Sequence, residues 1–159
     1  MIKLLHPALV PAAQIGTAPA PLAERPSGAE AKTILLVDDD PESRARLSGA
    51  IEDQGYRVLA ADSSAQAEAL WQEHGGRVDL LLTDMALLNG LTGLELAEKL
   101  TARCPSLKVV YTIGFGMDEL PANFAVRRGH QLVRKSCQPH TLAGILRRCL
   151  GFELTQQAA

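Results

Sequence analysis

Apolar residues in this chain fall into two textures. From Thr33 onward, short apolar runs alternate with stretches in which apolar positions recur every three or four residues. The short runs Thr33–Val37, Tyr56–Ala60, Val78–Thr83, Leu107–Thr112 and Gln131–Arg134 predict five strands. Two of them, ILLV and DLLLT, are apolar on successive residues, which suits strands covered on both faces of a parallel sheet. Helices are predicted between them. Asp40 and Pro41 supply an N-cap and a first-turn proline, after which Leu47, Ala50, Ile51 and Gln54 share one face and Gly55 closes the helix. Ser63 or Ser64 caps a second helix carrying Ala67, Leu70, Trp71 and His74 on one face, ended by Gly75-Gly76. A third runs from about Gly93 to Cys104 and stops at Pro105. A fourth is expected near Met117–Arg127, with Pro121 inside it, and the last starts near Pro139 and buries Leu142, Ile145, Leu146 and Cys149. Strands and helices in alternation give an α/β fold, a doubly wound five-stranded parallel sheet.

Before Thr33 the pattern is absent. Residues 1–31 hold five of the nine prolines and eight alanines, a composition that favours a solvated, disordered coil. A secretory signal would use Lys3, Leu4 and Leu5 and a cleavage site at Ala18-Pro19-Ala20, but His6, Pro7 and Pro11 break its apolar region too early. The 159 residues are thus expected to divide into a Pro/Ala-rich head (1–31), one domain (32–150) and a short tail (151–159), with no effector domain expected beside it. A net charge of −2 gives no general reason to expect a nucleic acid or a membrane as partner, and no apolar run approaches the ~18 residues of a spanning helix. Cys104, Cys137 and Cys149 have neither disulfide-framework nor zinc spacing. A cytoplasmic, non-membrane protein is expected.

In such a sheet, ligands bind at the carboxyl edge of the strands. Asp38, Asp39 and Asp40 follow the first strand, Asp84 the third and Lys135 the fifth. Clustered carboxylates repel unless they share a cation, and oxygen-only ligands with open positions suit Mg²⁺ completed by phosphate oxygens. Lys135 would add a point charge for the same phosphate, and an aspartate would be in reach as nucleophile. Singly, each residue has an ordinary reading: Asp40 a helix cap, Asp38 and Asp39 a solvated turn, Asp84 a loop acid, Lys135 a surface lysine. Their joint placement is what points to phosphoryl transfer.

The segments ILLVDDDPESR, DLLLTDMALLNGLTGLELAEKL and LVRKS, in this order, resemble the receiver domain of two-component response regulators, over roughly Lys32–Leu150. The interval from Asp84 to Gly93 carries one residue more than in many receivers and resembles the loop of receivers attached to hybrid sensor kinases. The resemblance implies a flavodoxin-like receiver fold in a signalling module that is not an enzyme. It implies that Asp84 accepts a phosphoryl group from a histidine kinase or histidine phosphotransfer protein. It further implies that Asp39, Asp84 and the carbonyl of Ala86 hold Mg²⁺, that Asp38 acts through a bound water, and that Lys135 pairs with the phosphoryl oxygens. Output would pass to a downstream protein target, and the last strand and helix form the face that receivers use for homodimers and partners. That segment is basic from Arg127 onward, with Arg127, Arg128, Arg134, Lys135, Arg147 and Arg148 against Glu153, a pattern that a solvated face also explains.

Several positions depart from the receiver pattern, among them Leu87-Leu88 in place of the Met-Pro that usually follows the phosphoacceptor. The hydroxyl expected at the end of strand four falls on Thr112 or Ile113, and the interval of 22 residues from Ile113 to Lys135 favours Ile113, which has no hydroxyl. Thr112 would then need a bulge to re-aim it. The aromatic switch residue three before the lysine is Leu132, and the proline after the lysine is Ser136. An alternative reading follows from these departures: a receiver fold kept as a phosphorylation-independent interaction module.

Overall fold

The computed structural model describes residues 31–114 and 130–151. Strands β1 (Thr33–Val37), β2 (Arg57–Ala61), β3 (Leu80–Asp84), β4 (Lys108–Ile113) and β5 (Gln131–Arg134) form one parallel sheet in the order β2-β1-β3-β4-β5. Helices α1 (Pro41–Glu52), α2 (Ser64–Glu73), α3 (Gly93–Arg103) and α4 (Pro139–Leu150) cover its two faces. The strand order reverses between β1 and β3, and a doubly wound sheet opens a crevice at such a point beyond the carboxyl ends of its strands.

Alternate residues of each strand face opposite cores. Ile34, Leu36, Leu80, Leu82 and Val110 pack with Leu47 and Ile51 of α1 and with Leu142 and Leu146 of α4. Leu35, Val37, Leu81 and Tyr111 pack with Trp71 of α2 and with Leu96 and Leu100 of α3. This two-sided burial explains the unbroken apolar runs of β1 and β3. Each buried leucine contributes roughly 1.5–3 kcal/mol relative to an exposed one, so the sheet centre is the stable platform on which the edge residues stand.

Local signals set the helix starts. Asp40 caps α1 by accepting from the Ser43 N–H at 2.9 Å, with Pro41 in the first turn. Ser63 caps α2, and Thr92 and Glu95 form a reciprocal capping box at the start of α3. Several boundaries differ from the sequence expectation. Strands β2, β3 and β4 each end one residue later, because parallel pairing continues to the last residue that finds a ladder partner; Asp84 is therefore the last residue of β3, opposite Thr112. Helix α1 ends at Glu52, leaving Gln54 exposed beyond it, and Gly55 makes the following turn at φ 88°. In α4 the buried residues are Leu142, Ala143 and Leu146, with Ile145 and Cys149 half-buried at the rim. The helix expected near Met117–Arg127, the head up to residue 30 and the tail from residue 152 lie outside the described residues.

Candidate functional site

The first, third and fifth strands deliver Asp38, Asp84 and Lys135 to one place. Asp38 is fully buried: its Oδ1 accepts from Lys135 Nζ at 2.9 Å and from the Asp40 N–H at 3.0 Å, and its Oδ2 accepts from Ser43 Oγ at 2.7 Å. Asp84 accepts from Lys135 Nζ at 2.6 Å through Oδ2 and from the Ala86 N–H at 3.0 Å through Oδ1. A single ammonium thus bridges two buried carboxylates from strands that are neighbours in the sheet. Burial is the largest single influence on Lys135 and works against its charge. The hydrogen bonds and charges of Asp84 and Asp38 together outweigh it, and the lysine pKa stands above its ordinary value.

Carboxylate oxygens of Asp38, Asp39 and Asp84 all lie within 4.8 Å of one another. Three negative charges face the one ammonium that touches Asp38 and Asp84, which leaves an excess of two. At such separations in a partly buried site the repulsion is worth several kcal/mol, and a hard divalent cation is its natural complement. The donor set therefore fits Mg²⁺.

A second feature points into the same place. Thr112 is buried, and its hydroxyl has no hydrogen-bond partner among the described residues. It is the register partner of Asp84 in the β3–β4 ladder, so the two side chains leave neighbouring strands on the same face. Pairing continues through Ile113 with no bulge in the described register. Ile113 belongs to the opposite core with Val109 and Tyr111, and Leu132 packs half-buried against that same cluster. A buried hydroxyl without a partner costs about 1–3 kcal/mol, and such groups concentrate where a ligand or water completes them.

Helix α1 braces the edge. Arg44 donates to the Asp38 carbonyl at 2.7 Å and Arg46 to the Lys135 carbonyl at 2.6 Å. Ser43, absent from the sequence reading, fixes the second oxygen of Asp38. Its signal was present: Ser43, Leu47 and Ile51 form one buried stripe, in which a serine is out of place unless it serves a polar group. Cys137 is half-buried two residues beyond Lys135, and burial pushes its thiol pKa up, away from thiolate reactivity. In the basic C-terminal segment, Arg147 and Arg148 are exposed, and Arg147 donates to Gln54 Oε1 at 2.9 Å. Arg127 and Arg128 lie outside the described residues.

Fold and edge together define a doubly wound α/β domain with a carboxylate–lysine site. Residues 34–147 match the family described as the response regulator receiver domain, and the chain belongs to that family. It is 39% identical over 84 residues to the response regulator receiver protein CpdR of Brucella abortus, covering 53% of this chain and 68% of that one. It is 30% identical over 91 residues to the sensor kinase CckA of the same organism, covering 57% of this chain but 10% of the kinase. Among solved structures, NtrX from Brucella abortus superposes with a TM-score of 0.69 at 29% identity, covering 77% of this chain and 27% of that one. A receiver protein from Sinorhizobium medicae gives 0.67 at 23% identity, with 77% and 97% covered, and shares the fold. Among the described residues no helix is long and apolar enough to cross a membrane.

Proposed function

We propose that this chain acts in a two-component phosphorelay by accepting a phosphoryl group on Asp84 from a histidine kinase or a histidine phosphotransfer protein. The observation that carries this reading is the Lys135 ammonium held between Asp38 and Asp84, at the centre of a carboxylate cluster with excess negative charge. An Asp84 carboxylate oxygen attacks phosphorus in line; the new O–P bond forms as the donor's P–N bond breaks, and the electron pair stays on the donor imidazole. Lys135 moves from Asp84 to the incoming phosphoryl oxygens, which it can do because Asp38 already holds it in position. Asp38, Asp39, Asp84 and the Ala86 carbonyl would hold Mg²⁺, which when bound neutralises charge on the phosphoryl oxygens. Asp38 is oriented by hydrogen bonds from Ser43 Oγ and the Asp40 N–H.

Thr112, rather than Ile113, supplies the hydroxyl that closes on the phosphoryl group, because it shares the face of Asp84 and has no other partner among the described residues. Thr112→Val is therefore expected to act in two directions. It removes an unsatisfied buried hydroxyl and raises the stability of the unphosphorylated protein by about 1 kcal/mol in denaturant titrations. It also abolishes the conformational response to phosphorylation, read as the amide shift changes that beryllofluoride induces in the wild type.

The direct experiment is incubation with a small-molecule phosphodonor and Mg²⁺. Wild-type protein takes one phosphoryl group and Asp84→Asn takes none. Mg²⁺ at about a hundred times its Kd raises wild-type stability by about 2.7 kcal/mol and the stability of Asp84→Asn by less. An interaction module that is independent of phosphorylation would show neither label nor Mg²⁺ dependence. Signalling is through protein contacts in the cytoplasm, with the β5–α4 side as the surface for a homodimer or a downstream partner.

A further inference from the structure

The loop between Asp84 and α3 is gripped from outside. Ser64 is the first residue of α2 and is buried, although Ser63, not Ser64, caps that helix. Ser64 Oγ accepts from the Leu91 N–H at 3.0 Å and donates to the Asn89 carbonyl at 3.4 Å. Between those residues stands Gly90, at φ +90°, where a Cβ would lie 2.4 Å from Ser64 Oγ and meet nothing else closer than 3.9 Å. The loop thus closes over the serine hydroxyl, and a side chain at Gly90 would push that hydroxyl off its two backbone partners.

This is also the loop that carries Ala86, whose N–H holds Asp84 Oδ1. Its far end returns to the residue just after β3: the Gly93 N–H donates to the Met85 carbonyl at 3.3 Å. Leu87 and Leu91 pack the loop against the core, and with both ends fastened at Asp84 and Met85, the one described side chain of another element that hydrogen-bonds its middle is Ser64. We infer that Ser64 is a positioning residue: by clasping the backbone on both sides of Gly90, it stiffens the loop that presents Ala86 and ties the phosphorylation site to the N-terminus of α2. The inference rests on Asp84 being the phosphoacceptor site with its Mg²⁺.

The test uses the full chain and ¹H–¹⁵N NMR. In Ser64→Ala the Leu91 amide exchanges about tenfold faster or more, while the β1 and β3 amides keep wild-type protection. Mg²⁺ titration followed at the Ala86 amide gives a Kd about tenfold weaker than wild type, the usual size for loss of a group that orients a ligand. Gly90→Ala weakens Mg²⁺ binding strongly when Ser64 is present and much less in the Ser64→Ala background, where the obstructing Oγ is gone and only the positive-φ strain remains. Wild-type Leu91 exchange and Mg²⁺ affinity in Ser64→Ala would overturn the role. So would equal Gly90→Ala effects in both backgrounds, since strain alone then accounts for the glycine. A wild-type Ala86 amide that does not respond to Mg²⁺, with Leu91 exchange still accelerated in Ser64→Ala, overturns the phosphoacceptor reading and leaves Ser64 a contact of the fold.

Discussion

Lys135→Ala is expected to lower stability in the absence of Mg²⁺ by about 3 kcal/mol, because it leaves two carboxylates, one of them fully buried, without their shared cation. The same change should strengthen Mg²⁺ binding, since the ammonium and the metal compete for the same oxygens. Added Mg²⁺ then recovers more stability in the variant than in the wild type. Phosphoryl transfer nevertheless slows by about 10²-fold, because the lysine is the protein's own positive charge for the phosphoryl oxygens. Tighter metal with slower transfer separates this role from a merely structural one. Denaturant unfolding with and without Mg²⁺, followed by phosphorylation rates, checks both halves. The pH dependence has a defined sign. A lysine whose folded pKa is raised contributes its stability fully below its unfolded value of about 10.4. That contribution is lost as pH rises through the folded value, so the gap between wild type and Lys135→Ala closes only in the alkaline range above ordinary lysine titration.

Gly93→Ala is expected to be more damaging than its helical position suggests. Alanine favours helices over glycine by about 1 kcal/mol. Here the added Cβ would lie 2.0 Å from the Asp84 carbonyl oxygen and 2.9 Å from its carbon, all backbone that cannot rotate away. Forcing that contact apart costs about 3 kcal/mol net and displaces the phosphoacceptor itself. Gly49 in α1 is the control, because a Cβ there meets nothing within 4 Å. Gly49→Ala should be neutral or stabilising by up to about 1 kcal/mol, and thermal unfolding of the two variants decides between clash and propensity.

Much of this was legible from the residues in order. ILLV and DLLLT read as strands buried on both faces, and that is where β1 and β3 lie. Asp40-Pro41 marked the start of α1. The rule that ligands gather beyond the carboxyl ends of strands singled out Asp38, Asp84 and Lys135, which the fold brings into hydrogen-bond contact. What escaped are contacts without a period. Ser64 and Leu91 are 27 residues apart, and Arg46 and Lys135 are 89 apart; no local pattern announces either. The choice between Thr112 and Ile113 was a counting problem over an interval that includes residues 115–129. Counting back from Lys135 favoured Ile113, whereas pairing with β3 places Thr112 opposite Asp84. Ladder register follows hydrogen bonds between strands, which loop lengths in the sequence do not determine.

The central claim is that Asp84 itself takes the phosphoryl group, and the most direct measurement is where that group goes. Wild-type protein loaded by a small-molecule phosphodonor with Mg²⁺ is reduced with borohydride, which converts an acyl phosphate to the corresponding alcohol, and the modified peptide is sequenced by mass spectrometry. Conversion at Asp84 alone is the predicted result. Conversion at Asp38 or Asp39, or no conversion in protein that binds Mg²⁺, would contradict it.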